Sequence, residues 1–571
     1  MYVLGINAYH GDVSAALLRD GVLISAVEEE RFRRIKHYAG FPTMAVKSVL
    51  AEAGIRGADV DHVAISRSPR AHLLRKALFT LTHQPNLALV RDRLSNRRKV
   101  ADVRVPLTEA LGAEPKTLHF VEHHPAHLAS TFFVSPFKQA ACCAVDGFGD
   151  FVSTSMAMGR DNQLDVLRHV FFPHSLGMMY TAVTQYLGFP GFGDEFKVMG
   201  LAPYGKPTAV AEIRKLVRLT SGGRFELDLC YFRHWSDGVT MEWDNGYPTL
   251  GTVYTKDLES LLGPARKPDE PLTSRQEDLA HSLQVVYEEC FTHVLEGLWE
   301  LTHTPQLCLA GGCAMNSVAN GKIRQRTPFK AVYIQPASSD NGTALGAAYY
   351  VWNQVLGRER AFVMEHGYWG PAHQEDGMLA KLEDAYVIER FPTSDAVARA
   401  TAKLIADGNV VGWYQGRMEW GARALGNRSI VADPRRADIR DLINVKIKFR
   451  EKFRPFAPSV AEEAIDEWFE GAVPDPFMIQ VYPVRSDKRA VIPAVTHVDG
   501  SGRLQTVNAR INPAYYQLIK HFEALTGVPV ILNTSFNENE PIVETPAQAL
   551  DCFLRTKMDA IVLNTTLVRR K

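Results

Sequence analysis

The stretch Val-Glu-His-His-Pro-Ala-His, from Val121 to His127, and the later turn Asp-Gly-Phe-Gly-Asp, from Asp146 to Asp150, organise the prediction for the rest of the chain. His123 and His127 are four residues apart, so in a helix that begins here both imidazoles project from one face. Asp146 follows a buried-strand run, at the point where that run ends in a glycine turn. Two imidazoles and a strand-end carboxylate favour a nitrogen and oxygen metal site without thiolate.

A fourth ligand is predicted at Asp340, which follows the strand-like run Ala331–Gln335 and precedes a helix of small residues. The alternative for His123, His124 and His127 is structural: each imidazole would cap a helix or pack in the core against a backbone partner. Histidine spacing alone does not separate these alternatives. The neighbouring Asp-Gly-x-Gly-Asp turn favours the metal.

Two strand–turn–strand patterns indicate a duplicated α/β domain. The chain opens with strands predicted at Tyr2–Ala8, Ser14–Leu18 and Val22–Val27, and the first turn carries His10. This opening resembles the phosphate-binding turn of actin-like and Hsp70-like ATPases. Phe151–Met158 repeats the pattern after the second polar turn, and two such halves facing one nucleotide are typical of the actin-like fold.

A glycine pair predicts a phosphate site in the same domain. The strand-like run Gln306–Leu309 leads to Gly311 and Gly312, and a helix follows. Such a turn presents backbone N–H groups and the positive end of a helix dipole to an anion. We expect Asn316, in the same turn, to reach a ribose or a base.

Arginines in the last third of the chain predict a second anion site. Arg423 and Arg454 lie in segments bracketed by Gly and Pro and beside aromatic residues. Guanidinium binds phosphate through two parallel hydrogen bonds. The polar cluster Asn533–Asn537, after the predicted strand Val528–Leu532, is placed to complete the pocket. Surface ion pairing is the interpretation for three other cations of this region, Arg435, Arg436 and Lys452.

Composition excludes several classes of protein. The 571 residues are 46% hydrophobic and 22% charged, with zero formal net charge, so no global field attracts nucleic acid or an anionic membrane. No stretch is long and apolar enough to span a bilayer, and no signal peptide is evident. Seven cysteines without a Cys-x-x-Cys pair indicate a reducing compartment. These features predict a cytoplasmic protein.

The length requires more than one domain, and the pattern loosens around residues 355–392, where we place the boundary. Residues 67–104 are locally basic but contain few aromatic residues, so we interpret them as a solvated helical insertion rather than a nucleic-acid surface.

Six motifs, in this order, resemble those of the NodU/CmcH-type O-carbamoyltransferase family over nearly the whole chain. They are Glu28–Phe32, His123–His127, Lys197–Ala202, Gly311–Asn316, Glu451–Pro458 and Leu532–Asn537. The resemblance implies an α/β protein, with an actin-like ATPase (Kae1-like) domain at residues 1–355, a linker region at 356–392 and an α+β YrdC-like domain at 393–571. It implies that the YrdC-like domain makes carbamoyl adenylate from carbamoyl phosphate and ATP, with Mg²⁺. The Kae1-like domain would then transfer the carbamoyl group to a hydroxyl of a small natural-product or sugar-type acceptor.

The resemblance also implies roles for individual residues. A divalent metal, iron in that family, would be held by His123, His127, Asp146 and Asp340. His10 would be the base that takes the proton of the acceptor. Carbamoyl phosphate would be bound by Arg423, Lys448, Arg454, Arg503, Ser535 and Asn537. The nucleotide would contact Lys36, Lys197, Gly311, Gly312 and Asn316.

Two alternatives remain at this point. An enzyme of the same folds that modifies tRNA with a threonylcarbamoyl group would need a basic groove with stacking aromatic residues, and zero net charge argues against it. An actin-like nucleotide-binding protein without group transfer would need neither the histidine metal site nor the arginine pocket. The acceptor and the oligomeric state are not readable from the sequence.

Overall fold

The computed structural model describes residues 1–86, 99–237, 239, 241–242, 245–375, 377–382 and 385–571. It contains two compact units, Met1–Met364 and Glu365–Lys571, and the division falls inside the stretch 356–392. Residues 386–390, which the sequence analysis assigns to the linker, are a strand of the second unit. Tyr386–Arg390 pairs with Thr566–Arg570, and its side chains at 386 and 388 pack against the core.

Two five-stranded sheets of the same strand order build the first unit. In each, three sequential antiparallel strands continue into two parallel ones. The first sheet runs in the order Val22–Glu28, Ser14–Arg19, Tyr2–Asn7, His62–Ile65 and Leu118–Phe120. The second runs in the order Gln163–Phe171, Val152–Arg160, Gln139–Gly149, Gln306–Ala310 and Ala331–Tyr333. The repeated strand order confirms the duplication predicted from the two strand–turn–strand patterns.

Helices and two small hairpins complete the first unit. The hairpins pair Val217–Thr220 with Arg224–Leu227 and Met241–Glu242 with Thr249–Leu250. The α-helices are Glu30–Arg33, Thr43–Ala53, Leu73–His83, Arg104–Leu111, His123–Phe132, Leu176–Tyr186, Glu195–Leu201, Val210–Ile213, Lys256–Leu262, Ser274–Thr302, Ser317–Arg326 and Gly342–Tyr349.

The helix Gly342–Tyr349 is built of small residues because it packs backbone against backbone. A Cβ atom at Gly5 would overlap the carbonyl oxygen of Ala344, and one at Gly346 would overlap the carbonyl oxygen of Ala126. The helix therefore touches both the first strand of the chain and the helix His123–Phe132. This contact brings the segment that precedes it, with Asp340, beside the two predicted histidine ligands.

The second unit is a mixed sheet with helices around it. Its strands run in the order Tyr386–Arg390, Thr566–Arg570, Ala560–Leu563, Val411–Tyr414, Arg428–Ala432, Val530–Ser535, Ala457–Ala461 and Gln505–Val507. Val481–Pro483 and Ser501–Arg503 form a separate hairpin. The α-helices are Ser394–Ala406, Ile439–Lys446, Ile465–Trp468, Pro513–Thr526 and Pro546–Arg555. The core of this unit is separate from that of the first and contains Trp413, Tyr515 and Phe522, all fully buried.

The described part of the basic stretch 67–104 includes the predicted helix, Leu73–His83. Arg67 donates from Nη1 to the carbonyl oxygen of Tyr9 at 2.6 Å, and the Arg75 guanidinium lies 3.9 Å from the centre of the Phe171 ring. Both cations are therefore used in packing within the chain. Four other cations of the stretch lie outside the described residues: Arg91, Arg93, Arg97 and Arg98.

We expect Gly346→Ala to lower the free energy of unfolding of the first unit by about 1–3 kcal/mol, since the new methyl group overpacks the contact with Ala126. The loss should appear although alanine is the better helix former. Gly147→Ala is the matched control, because a Cβ atom there meets nothing within 4 Å. Denaturant unfolding of both variants measures the effect, and wild-type stability of Gly346→Ala would contradict it.

Candidate metal centre and arginine pocket

The helix His123–Phe132 places His123 and His127 on one buried face. Their Nε2 atoms lie 3.0 Å apart, and both imidazoles are inaccessible to solvent. The helix can begin with a proline in its first turn because the N–H group there has no intrahelical acceptor. Asp150 supplies a cap from outside the helix: its Oδ2 accepts from the backbone N of His123 at 3.0 Å and from that of Ser68 at 2.9 Å.

Two carboxylates complete the cluster. Asp146, near the end of the strand Gln139–Gly149, lies with Oδ2 3.4 Å from His123 Nε2 and 3.8 Å from His127 Nε2. Asp340, just before the helix Gly342–Tyr349, lies with Oδ1 3.3 Å and 3.4 Å from the same two nitrogens. All four side chains are buried, and one ligand atom from each lies within 4.8 Å of the others. The structure thus brings the four predicted ligands together.

This donor set fits a metal ion. Metal–nitrogen bonds of about 2.1 Å at about a right angle place two nitrogens about 3.0 Å apart, which matches the separation of the two Nε2 atoms. Asp340 Oδ1 is buried and, within the described part of the chain, accepts no hydrogen bond although it faces both imidazoles. A buried carboxylate oxygen without a donor is costly, and a cation would compensate for it.

The electrostatics of the cluster agree with this assignment. Burial raises the pKa of Asp146, as does the charge of Asp340, but the two imidazoles outweigh both effects and lower the pKa to about 2. Burial also raises the pKa of Asp340, yet its contact with His10 holds the value well below the usual range. Burial lowers the pKa of His123, but the adjacent carboxylates of Asp146 and Asp340 raise it to about 10. The two ionised carboxylates therefore favour a positive charge at this position, which the His123 imidazolium supplies when no cation is bound.

The pKa of His127 is lowered, first by burial and then by the charge of His123. His127 is therefore held in the neutral form that ligates metals. His124, the third histidine of the motif, points elsewhere and donates from Nε2 to the carbonyl oxygen of Val152 at 3.0 Å. His124 thus has the buried backbone partner of the structural interpretation, whereas the Nε2 atoms of His123 and His127 face each other and two carboxylates.

Glycines around the cluster keep the carboxylates and imidazoles in place. A Cβ atom at Gly149 would overlap the His123 ring, and one at Gly311, where φ is +93°, would overlap the carbonyl oxygen of Val145. The backbone N of Gly312 donates to Asp146 Oδ1 at 2.8 Å, which fixes the second oxygen of that carboxylate. The glycine pair therefore also orients a carboxylate of the metal cluster.

His10 lies beside the metal cluster, in the first turn of the chain. Its Nδ1 is in close contact with Asp340 Oδ2, and its Nε2 lies 3.3 Å from the carbonyl oxygen of Phe148. The rings of His10 and His123 are 5.0 Å apart. The opening turn and the second polar turn thus meet at one place, as the duplication predicts.

The predicted nucleotide residues differ in how the structure uses them. Asn316 caps the helix Ser317–Arg326 with its Oδ1, and its Nδ2 donates to Gln284 Oε1 at 3.1 Å. Lys197 pairs with Asp194 at 2.9 Å, and its ammonium lies 5.5 Å from the centre of the Phe189 ring. Lys36 is exposed. Asn316 thus has a structural role that helical spacing alone did not indicate.

The second unit gathers arginines that are far apart in the sequence. The pKa of Arg503 is lowered well below its usual range, first by burial and then by the charges of Arg423, Arg450 and Arg454. Burial and the charge of Arg454 lower the pKa of Arg423 to about 10. The Nε atoms of Arg423 and Arg503 are buried and, within the described residues, have no hydrogen-bond acceptor. These four arginines are named here the arginine pocket.

Lys448 is fully buried beside Ser535 and Asn537, two residues that the sequence predicts to bind carbamoyl phosphate. Its ammonium contacts the carbonyl oxygen and, at 3.3 Å, the Oγ of Ser535. It also donates to Asn537 O at 2.8 Å and Oδ1 at 2.6 Å. These contacts show that Lys448 anchors the turn after the strand Val530–Ser535.

Other cations of this region are paired. Arg435 is held by Asp433 at 2.7 Å and Arg436 by Asp438 at 2.6 Å, which confirms ion pairing for both. The pair is at the surface for Arg436, whereas the Asp433 partner of Arg435 is buried. The sequence analysis missed Arg450 as a member of the arginine pocket and Asp150 as the cap of the histidine helix. A signal was present for each: Arg450 lies in the same segment as Arg454, and Asp150 closes the Asp-Gly-x-Gly-Asp turn.

Comparison with protein families decides the identity of the chain. Residues 2–349 match the family profile described as carbamoyltransferase N-terminus, and residues 402–570 match the one described as carbamoyltransferase C-terminus. The chain belongs to the carbamoyltransferase family. The resemblance inferred from the six motifs is confirmed at that level.

Relatives of this carbamoyltransferase extend over nearly its whole length. An uncharacterized protein of Synechocystis is 40% identical over 607 residues, which cover 100% of this chain and 97% of the relative. Nodulation protein NolNO of Sinorhizobium fredii is 40% identical and covers 99% of this chain and 80% of its own. Nodulation protein U of Rhizobium tropici is 28% identical over 94% of this chain and 91% of its own.

Among solved structures, HypF of T. kodakarensis aligns with 62% of this carbamoyltransferase and 48% of its own chain. The identity is 15% and the TM-score is 0.32. In the described part of the carbamoyltransferase, no helix combines the length and the apolar character needed to cross a bilayer.

We expect His127→Gln to abolish metal binding and His124→Gln to leave it intact. The first variant removes a ligand atom from the cluster, whereas a glutamine amide at 124 can still donate to the carbonyl oxygen of Val152. Metal content of the purified proteins, measured by mass spectrometry, checks this expectation. Equal metal content in the two variants would show that the cluster is not the site.

Proposed function

We propose that this carbamoyltransferase acts in two half-reactions, one in each unit. The second unit, as a YrdC-like domain, would form carbamoyl adenylate from carbamoyl phosphate and ATP. The first unit, as a Kae1-like domain of the actin-like class, would transfer the carbamoyl group to a hydroxyl of a small acceptor. The observation that carries the proposal is the division of chemistry: an arginine pocket in one unit and a histidine–carboxylate centre in the other.

The arginine pocket supports the first half-reaction. Carbamoyl phosphate reacts with water to give phosphate and carbamate, and a carbamate oxygen attacks the α-phosphorus of ATP·Mg²⁺. The bond from that phosphorus to the bridging oxygen breaks, and pyrophosphate leaves. Guanidinium groups aimed at phosphate oxygens neutralise the charge of such species. Arg423, Arg454 and Arg503 are assigned this role, with Ser535 and Asn537 at the edge of the pocket.

In this proposal Lys448 does not contact the substrate but anchors the turn that follows the strand Val530–Ser535. Its contacts with Ser535 and Asn537 hold the two side chains in position. The carbamate intermediate is unstable in water, so a pocket that orders its cations in advance and excludes solvent favours adenylation over loss of carbamate.

In the second half-reaction the acceptor oxygen attacks the carbamoyl carbon, the bond to the adenylate oxygen breaks, and AMP leaves. His10 is assigned as the base. When Nδ1 donates to Asp340, Nε2 can accept the proton of the hydroxyl, and the resulting imidazolium then faces two oxygens, Asp340 Oδ2 and Phe148 O. A positioned base of this kind contributes on the order of 10²–10⁴ in rate.

The metal assigned to His123, His127, Asp146 and Asp340, iron(II) by resemblance to the family, would act as a Lewis acid toward the adenylate phosphate. Around it, Gly312 fixes Asp146 and Asp150 fixes the start of the histidine helix. In this proposal the adenylate is bound at Gly311 and Gly312, and Lys36 and Lys197 contact the nucleotide. Asn316 shapes the turn that contains the two glycines.

We propose a cytoplasmic location. All seven cysteines are free thiols, and five of them are buried. Burial raises the pKa of Cys313, which fits a packing residue and not a nucleophile. A protein with seven free thiols and no disulfide among its cysteines is typical of a reducing compartment.

We expect Arg454→Ala to lower carbamoyl phosphate-dependent pyrophosphate release from ATP by about 10²–10³-fold, while His127→Ala retains that release and loses carbamoyl transfer. A pyrophosphate assay measures the first step, and mass spectrometry of a panel of hydroxylated acceptors measures the second.

Lys452→Ala is the matched control for the arginine variant, because Lys452 lies in the same segment and is exposed. Pyrophosphate release should be unchanged in this control. Loss of the release in both Arg454→Ala and His127→Ala would contradict the division of labour between the units.

A further inference from the structure

Arg450 is the member of the arginine pocket to which the sequence assigned no role, although it lies in the same segment as Arg454. Its Nε donates to Asn444 Oδ1 at 2.7 Å, and its guanidinium lies 4.9 Å from the centre of the Phe456 ring. Asn444 is fully buried. The guanidinium is therefore held in one orientation by an amide on one side and an aromatic ring on the other.

The same asparagine connects Arg450 to Arg454. Asn444 Nδ2 donates to the carbonyl oxygen of Arg454 at 3.2 Å, and the backbone N of Arg450 donates to the carbonyl oxygen of Asn444 at 3.1 Å. The two arginines are thus carried by one hydrogen-bonded loop that follows the helix Ile439–Lys446. Any anion bound by Arg454 lies close to this loop.

One further donor of Arg450 lacks an acceptor among the described residues. Its Nη2 is buried and makes no hydrogen bond to any part of the chain that the structure describes. A buried guanidinium nitrogen without an acceptor is costly. The buried Nε atoms of Arg423 and Arg503 also lack an acceptor, so three members of the pocket have donors that the described part of the chain does not satisfy.

The charge count indicates the class of ligand. Burial and the charge of Arg454 lower the pKa of Arg450, and Glu451 only partly opposes them. The charge of Asp475 raises the pKa of Arg503 and so opposes the effect of the other arginines. The Asp475 carboxylate already accepts hydrogen bonds from the backbone N atoms of Phe477, Ile479 and Gln480. These four arginines therefore outnumber the two acids that oppose them, and the excess of positive charge favours an anion such as phosphate.

We propose that Arg450 is a fourth anion-binding arginine of this pocket and that its Nη2 group donates to the phosphate of carbamoyl phosphate. The role as a site for carbamoyl phosphate rests on the function proposed above. The site for a phosphate dianion rests only on the four arginines and Asn444.

Protection of the wild-type protein tests the anion site directly. Phenylglyoxal modifies accessible arginines, and peptide mass spectrometry reports the extent of modification at each position. We expect inorganic phosphate at millimolar concentration to slow the modification of Arg450 together with that of Arg423, Arg454 and Arg503. Arg399 is the control, because it is exposed on the helix Ser394–Ala406 and pairs with Asp395. Unchanged modification of Arg450 in the presence of phosphate would overturn the proposal.

Kinetics of two variants then test the substrate. Loss of one charge-assisted hydrogen bond corresponds to about 10–100-fold in binding, so Arg450→Ala should raise the KM for carbamoyl phosphate by that factor and leave the KM for ATP unchanged. Arg450→Lys keeps the charge but lacks the planar guanidinium. We expect its KM for carbamoyl phosphate to lie between those of the wild type and Arg450→Ala. An equal rise of both KM values, or no rise for carbamoyl phosphate, contradicts the role.

The two proposals fail in different ways. If phosphate protects Arg450 in the wild-type protein but no pyrophosphate is released, the anion site is supported and the proposed reaction is contradicted. If the wild-type protein releases pyrophosphate but phosphate does not protect Arg450, the proposed reaction is supported and the role of Arg450 is contradicted.

Discussion

The backbone contact between the helix Gly342–Tyr349 and the helix His123–Phe132 is the constraint on which the first unit depends. It is possible only because Gly346 has no side chain to separate the helix from the carbonyl oxygen of Ala126. The contact sets the distance between Asp340 and the two imidazoles. Metal binding requires ligand atoms to be positioned to within a few tenths of an ångström, so the cluster needs such rigid support.

The duplicated sheets add a second constraint. Each half of the first unit contributes a polar turn after its first strand, and the two turns meet through His10 and Phe148. Asp340 then serves both sides, with one oxygen toward the imidazoles of His123 and His127 and the other toward His10. A change in the state of the metal cluster is therefore coupled electrostatically to the base proposed for transfer.

The second unit uses the opposite electrostatic design. The first unit collects carboxylates that require a cation, whereas the arginine pocket collects cations that require an anion. Both arrangements oppose folding of the empty protein, because like charges repel and buried polar atoms lack partners. Both arrangements are expected when each site is formed for a ligand of the opposite charge.

Local sequence was sufficient to predict the strands of the two repeats and the four side chains that meet in the first unit, because strand alternation, the i to i+4 spacing of His123 and His127, and strand-end positions are short-range properties. The family followed from the resemblance of six motifs. Local sequence could not show that Asn316 caps a helix, that Lys448 anchors a turn, or that Arg450 joins Arg423 and Arg503. Those roles depend on which residues meet across long sequence separations, since hydrogen-bond partners and mutual repulsion are set by tertiary packing. The sequence by itself determined which chemical groups the protein has available, and only the tertiary structure decided which of them act together.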